Sequence, residues 1–311
     1  KRPTVRQDYD YSPETINTVF SFPFFMFRSL IFVPGNSIRF VEKAKTLAAD
    51  IICFDLEDSV PDDEKDAARR IIAETLVARR QEYGSNVYVR TNSPESGLIP
   101  DDLKVVLQKG IDGIVVPKVN DAHEILRIKE HVLTLEKERK TEKIVLVPSI
   151  ETARGVVNAY FIASADEQIK ALVFGVFDFL YDMRIDYNEH DTVGYSYVRA
   201  KIPIDARAAG VHAIDAIWQK IDDIDGLIRD ATMARRLGYS GKSIIHPSQI
   251  EPVHNVFRPS KSEIEWAKKV VQALAQAMDK GTGRGAVRLE GRMIDAVHYK
   301  QAKAILDATD E

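Results

Sequence analysis

Eight short apolar runs, each followed by a longer amphipathic stretch, limit this chain to few architectures. The runs are Leu30–Val33, Ile51–Leu56, Val87–Val89 and Ile114–Val116, then Ile144–Val147, Ala171–Phe174, Ala213–Ile217 and Ser243–Ile245. They are rich in Ile, Val and Phe and nearly continuous, as strands buried on both faces should be. Helices are expected between them, beginning near Asn36, Asp62, Asp121, Thr152 and Gly226. The acidic run Asp62-Asp63-Glu64 suits a helix first turn. Such alternation implies a parallel sheet. Eight units in roughly 220 residues favour a closed (β/α)8 TIM barrel over a doubly wound sheet.

Three segments are expected. Residues 1–27 are polar, then aromatic (Phe20, Phe22, Phe24, Phe25, Phe27), with no sustained period; they read as an N-terminal extension packed on the domain or on a neighbouring subunit. Residues 28–260 form the barrel. Residues 261–311 form a C-terminal helical extension: a helix near Ser262–Met278, a link at Gly281, Gly283 and Gly285, and a last helix near Asp295–Leu306. A barrel is complete without this tail, so the tail is expected to do another job.

The 43 basic and 47 acidic residues give a net charge of -4, which speaks against nucleic acid as a partner but leaves room for a local phosphate site. The single cysteine, Cys53, lies in an apolar run, reads as a buried thiol and allows no intrachain disulfide. No stretch reaches the roughly 18 apolar residues of a membrane span. The expected location is the cytoplasm, or the mitochondrial matrix if a targeting peptide has been removed.

Active sites of TIM barrels lie at the C-terminal ends of the strands. Here those ends carry Pro34-Gly35-Asn36, Asp55-Leu56-Glu57-Asp58, Arg90-Thr91-Asn92, Pro117-Lys118, Glu151, Asp178, Asp215 and His246-Pro247. Glu151 and Asp178, on adjacent strands, can share a divalent cation or stand as two solvated rim carboxylates. Oxygen donors without His or Cys point to magnesium or manganese, not zinc. Asp55, Glu57 and Asp58 either orient metal-bound water and nearby cations or simply lead into the acidic run at Asp62. Arg90 either clamps a carboxylate or enolate oxygen or makes a structural salt bridge to that cluster. Arg39 and Lys43 share one helix face and suit a phosphate or plain solvent. His246 reads as a buried, hydrogen-bonded structural histidine rather than a catalytic base. There is no G-x-S-x-G elbow. Gly241-Lys242-Ser243 has Arg236 where a P-loop needs glycine, and it enters a strand.

The run from Arg28 to Asn36, RSLIFVPGN, and the run from Asp55 to Val60, DLEDSV, resemble the citrate lyase beta-subunit family. That family comprises the citrate lyase beta-like and malyl-CoA lyase proteins of the HpcH/HpaI aldolase superfamily. Arg90-Thr-Asn92, Pro117-Lys118, Glu151-Thr-Ala153, the Gly241–Ile250 segment and Gly291-Arg-Met-Ile-Asp295 carry the same resemblance, over roughly residues 28 to 308. It implies a magnesium-dependent barrel acting on acyl-CoA and a small 2-oxo acid. Glu151 and Asp178 would be the metal ligands, and Arg90 would hold the oxo acid or enolate. Phe32, Arg39 and Lys43 would contact coenzyme A, with Ile214 and Asp215 near its other end. Asp295 would be the acid/base, placed by the tail over a neighbouring subunit's barrel. A homo-oligomer, a trimer or a multiple of it, follows. Phe177 departs from the family, where a smaller or acidic residue is usual, so the oxo-acid pocket would be narrowed or its preference changed. The expected activity is an acyl-CoA lyase of the citramalyl-CoA, malyl-CoA or citryl-CoA type. Its alternatives are a malyl-CoA thioesterase, a malate synthase-like enzyme and a non-catalytic acyl-CoA-binding subunit.

Overall fold

A computed structural model describes residues 27–187, 193–279 and 286–309. Phe27–Ser260 forms one compact unit, and the chain from Lys261 belongs to another. Residues 1–26, in the expected N-terminal extension, and the glycine link at 281–285 lie outside the described residues.

In the first unit eight parallel strands close a barrel in chain order: β1 (Ser29–Pro34), β2 (Ile51–Asp55), β3 (Asn86–Arg90), β4 (Gly113–Val116), β5 (Val145–Ile150), β6 (Ala171–Phe174), β7 (His212–Asp215) and β8 (Gly241–Ile244). β8 pairs back onto β1, with Lys242 opposite Ser29. A doubly wound sheet is thereby excluded. Closure depends on Gly241, because a Cβ there would fall 1.8 Å from the Phe27 carbonyl oxygen. Phe27 is itself buried, so the barrel unit begins one residue before the expected boundary.

The helices are α1 (Ile38–Ala44), α2 (Lys65–Arg79), α3 (Ile99–Val106), α4 (Ala122–Arg139), α5 (Ala153–Ala163), α6 (Val176–Met183), α7 (Val193–Ala208), α8 (Ile224–Leu237) and α9 (Ile250–Phe257). Asp121 caps α4 and Thr152 caps α5, each by accepting a backbone N–H three residues on. Asp62–Glu64 forms a separate 3-10 turn ahead of α2 rather than the first turn of that helix.

Side chains alternate across each strand. Ile31, Val33, Ile52, Phe54, Val87 and Val89 join the core that includes residues of the surrounding helices. Their neighbours Phe32, Cys53, Asp55, Tyr88 and Arg90 therefore face the barrel interior. Asp55 and Arg90 are the last residues of β2 and β3 and stand opposite one another. Cys53 is fully buried, and burial pushes its thiol up.

His212 opens β7 with its ring 5.0 Å from that of Phe27 and its Nδ1 2.8 Å from the Ser240 hydroxyl. Burial, helped by the Arg207 charge, pushes this imidazole down to about 4. A folded-state value below the unfolded 6.5 means the unfolded chain takes up the proton first. Stability is then full above pH 6.5 and falls by about 3 kcal/mol in all as pH drops to 4. Denaturant melts across this window should show that loss, and a His212→Gln variant should flatten it. An unchanged slope in the variant would assign the loss elsewhere.

The second unit contains α10 (Lys261–Asp279), an antiparallel hairpin of β9 (Ala286–Leu289) and β10 (Arg292–Asp295), and α11 (Ala296–Asp307). Ala267, Val270, Leu274, Ile294 and Ala302 form its small core. Among the described residues no helix is long and apolar enough to cross a membrane.

Candidate active site

Two charged pairs meet at the C-terminal rim of the barrel. Arg90 donates from Nε to Asp55 Oδ1 at 2.6 Å and from Nη2 to Oδ2 at 2.7 Å, the two-pronged geometry of the strongest ion pairs. Its guanidinium also lies over the Phe32 ring, 4.6 Å from the centroid. Asp55 is buried and accepts further hydrogen bonds from the Glu57 and Ser59 backbone N–H groups and the Ser59 hydroxyl. Burial alone would raise its carboxyl, but Arg90 and these donors hold it down at about 2. The structural salt bridge weighed for Arg90 is thus present. It leaves Nη1 facing the rim, 3.2 Å from Glu57 and 3.5 Å from Asp58.

Lys118, just beyond β4, forms the second node. Its ammonium is 2.7 Å from Glu57 Oε1, 3.2 Å from Asp178 Oδ1 and 3.3 Å from Asp58 Oδ1. Lys65, from α2, donates to the backbone carbonyls of Leu56, Glu57 and Val60 and so pins the loop that carries these acids. The acidic run after β2 is therefore a fixed part of the rim and not merely a helix start.

Glu151 follows β5 and is only 3% exposed. Burial, together with the Glu57 and Asp178 charges, pushes its carboxyl up to about 8. Its Oε2 is buried without a hydrogen-bond partner. The carboxylate lies across the end of β6 because residue 175 is glycine: a Cβ there would meet Glu151 Cγ at 2.5 Å and Cδ at 2.8 Å. Gly175→Ala should displace Glu151 and cost roughly 1–3 kcal/mol of stability. Turnover should fall by about a hundredfold, because misplacing a reacting group by about 1 Å costs that much. Steady-state kinetics beside a thermal melt would check this, and full activity would show that Glu151 tolerates the shift.

The rim fits a hard divalent cation. Five carboxylates (Asp55, Glu57, Asp58, Glu151, Asp178) meet two cations (Arg90, Lys118), an excess of three negative charges when all are ionised. The orphaned Glu151 oxygen is the kind of group a bound ion satisfies. Among the described residues no cluster of three or more His, Cys, Asp or Glu encloses a metal. The fit is therefore to an ion that takes one or two protein carboxylates and keeps waters.

The other expected site residues are scattered. Arg39 and Lys43 are exposed on α1, on one face as expected. Ile214 lines the barrel interior and Asp215, next along β7, lies on the opposite face. Neither side chain has exposed surface, and Asp215 is held by Arg199 at 2.6 Å and Lys242 at 2.7 Å. Any place near coenzyme A at these two positions would therefore be reached through the chain around them rather than through their buried side chains. His246 is exposed, not buried; its ring pairs with the Ser248 hydroxyl and caps the short 3-10 turn after β8. Phe177 packs against Tyr187, with ring centroids 5.0 Å apart.

Asp295, in the second unit, caps α11. It accepts the Val297 N–H and pairs with His298 Nδ1 at 2.7 Å. The His298 hydrogen bond, with the backbone donors, lowers its carboxyl. Lys118, Gly175 and Lys65 received no role from the sequence. The pairing of a strand-end lysine with the acids two strands away could be guessed from barrel parity, but the Gly175 clearance could not.

A closed eight-stranded parallel barrel with carboxylates and two cations gathered at the C-terminal rim of its strands is the architecture of the TIM-barrel enzymes, and this rim suits a divalent ion. Residues 28–247 match the HpcH/HpaI aldolase/citrate lyase family, and the chain belongs to it. It is 35% identical to the citrate lyase subunit beta of Leuconostoc mesenteroides subsp. cremoris, over 90% of this chain and 92% of that one. It is also 35% identical to the mitochondrial citramalyl-CoA lyase of Rattus norvegicus, over 90% of this chain and 85% of that one. A crystal structure of the CitE protein of Mycobacterium tuberculosis, in complex with magnesium, acetoacetate and coenzyme A, superposes with a TM-score of 0.74 at 27% identity. That match covers 91% of this chain and 98% of the other.

Proposed function

We propose that this chain is a magnesium-dependent acyl-CoA lyase that cleaves or forms the carbon–carbon bond between a 2-oxo acid and an acyl-CoA enolate. The observation that carries this reading is the buried Glu151 carboxyl, with one oxygen unpartnered, in a rim where five carboxyl groups face two cations. Glu151 and Asp178 hold the magnesium. When bound, the ion supplies Lewis-acid stabilisation of developing oxygen charge.

The protein's own groups do the rest. Arg90, fixed by Asp55, presents Nη1 to a substrate carboxylate or enolate oxygen. Arg39, Lys43 and Phe32, whose ring lies against the Arg90 guanidinium, contact coenzyme A, the two cations at its phosphates. Asp295 is the acid/base. Its lowered carboxyl starts condensation as the carboxylate and takes the proton from the acyl carbon while the new alkoxide is protonated. In cleavage the substrate hydroxyl gives up its proton, and Asp295, protonated for that direction, returns one to the enolate carbon. The tail presents it to the barrel of a neighbouring subunit, which makes the working form a homo-oligomer, a trimer or a multiple of it. Likeness to the relatives named above supports these roles.

Product analysis by mass spectrometry tests the reading. Purified protein with magnesium is given malyl-CoA, citramalyl-CoA and citryl-CoA, and in reverse acetyl-CoA or propionyl-CoA with glyoxylate, pyruvate or oxaloacetate. Magnesium-dependent cleavage or condensation names the substrate pair. Release of free coenzyme A with the acid skeleton intact would assign a thioesterase. Tight acyl-CoA binding without turnover would assign a binding subunit.

A further inference from the structure

Lys118 has a backbone unlike that of almost every other residue in the barrel unit. Its φ is 53°, the left-handed region that residues with a Cβ rarely enter. Left-handed residues without glycine's freedom concentrate where the surrounding structure demands an unusual placement. Here the demand is visible. The ammonium lies within 3.3 Å of three carboxylates, Glu57 and Asp58 from the loop after β2 and Asp178 from α6. An ammonium has three N–H donors, and three acidic side chains surround it.

Arg90 shares Glu57 and Asp58 through Nη1, at 3.2 and 3.5 Å, but Asp55 holds two of its donors and its ion pairs do not extend to Asp178. Asp178 forms its ion pair with Lys118, and Glu151 forms none among the described residues. Lys118 thus links Asp178 to the acids of the β2 loop, which would otherwise repel it across the rim. A cation touching a carboxylate also lowers what that carboxylate offers a second cation, and two positive charges close together repel.

We infer that Lys118 is the resident counter-cation of the rim, holding Asp178 until a divalent ion takes it, and that it thereby sets how tightly that ion binds. The inference rests on the reading of Glu151 and Asp178 as the metal pair. Lys118 keeps Glu57 as its lasting partner, at 2.7 Å, and shares Asp178 with the incoming ion. The lysine holds the rim together when no ion is bound and keeps the site from clinging to one.

Manganese binding, read from the free-ion electron paramagnetic resonance signal, tests this without any substrate. Full-length wild type is compared with Lys118→Met, Lys118→Arg and Glu151→Gln. Lys118→Met should bind manganese roughly tenfold more tightly or better, and its melting temperature should rise more on adding manganese than that of wild type. Lys118→Arg keeps the charge and should stay near wild type. If Lys118→Met proves unfolded, Lys118→Gln takes its place. Equal or weaker binding in the neutral variant, with Glu151→Gln still abolishing binding, overturns the inference and leaves the metal pair standing. Undiminished binding in Glu151→Gln overturns the metal pair and the inference with it.

Discussion

Replacing Asp295 with Asn should lower kcat by about 10²–10⁴-fold, the range for loss of a general acid/base, while manganese binding stays as in wild type. Asn is chosen because Asp295 also caps α11, accepting backbone N–H groups and pairing with His298. Asn caps helices about as well as Asp, whereas Ala would add a stability loss of about 1 kcal/mol. The substitution therefore separates chemistry from capping. Near-normal turnover in a well-folded Asp295→Asn protein would remove Asp295 from the mechanism. Mixing Asp295→Asn with Arg90→Ala, under conditions where subunits exchange, should restore part of the activity through hybrid sites. Failure of that rescue would place Asp295 and Arg90 in the same subunit's site.

Asp215→Ala should cost about 3–5 kcal/mol of stability, the penalty for stranding buried charge. Asp215 and Lys242 are both fully buried, and Arg199 and Asp230 complete a set of two acids and two bases. Removing Asp215 leaves two cations facing one carboxylate beneath the α7 and α8 side of the barrel. Chemical denaturation measures the loss. The double change Asp215→Leu with Lys242→Met should cost less than the sum of its parts, because charge leaves in pairs. A raised KM for the acyl-CoA with unchanged stability would instead return Asp215 to the ligand.

The contrast between Asp215 and Asp55 shows how far strand-end position can be trusted. Both acids end barrel strands and both looked like rim groups. Parity decides between them: Asp55 shares the inward face with Cys53, and Asp215 falls on the face opposite Ile214. That parity was present in the sequence, but the choice of inward or outward set needed the packed helices to fix it. His246 taught the same lesson in reverse. Its place before Pro247 suggested a buried histidine, yet the strand had already ended at Ile244 and the ring emerged into solvent.

The sequence by itself determined the eight parallel strands and pointed to the barrel, which the pairing of β8 with β1 closed. Eight apolar runs of strand length, punctuated by caps such as Asp121 and Thr152, leave one economical way to bury every strand on both faces. It also showed which carboxylates stand at strand ends, because those ends are read from where apolar runs stop, but not which of them, Asp55 or Asp215, faces the rim. Tertiary structure alone decided the partners. Arg90 met Asp55 through the register of β2 and β3, and Lys118 reached Asp178 through a left-handed turn. Glu151 kept its place only because Gly175 stands clear of it. Ion pairs and clearances between residues far apart in the chain depend on distances of a few ångströms, and those are fixed by how the strands close, not by the pattern that makes them strands.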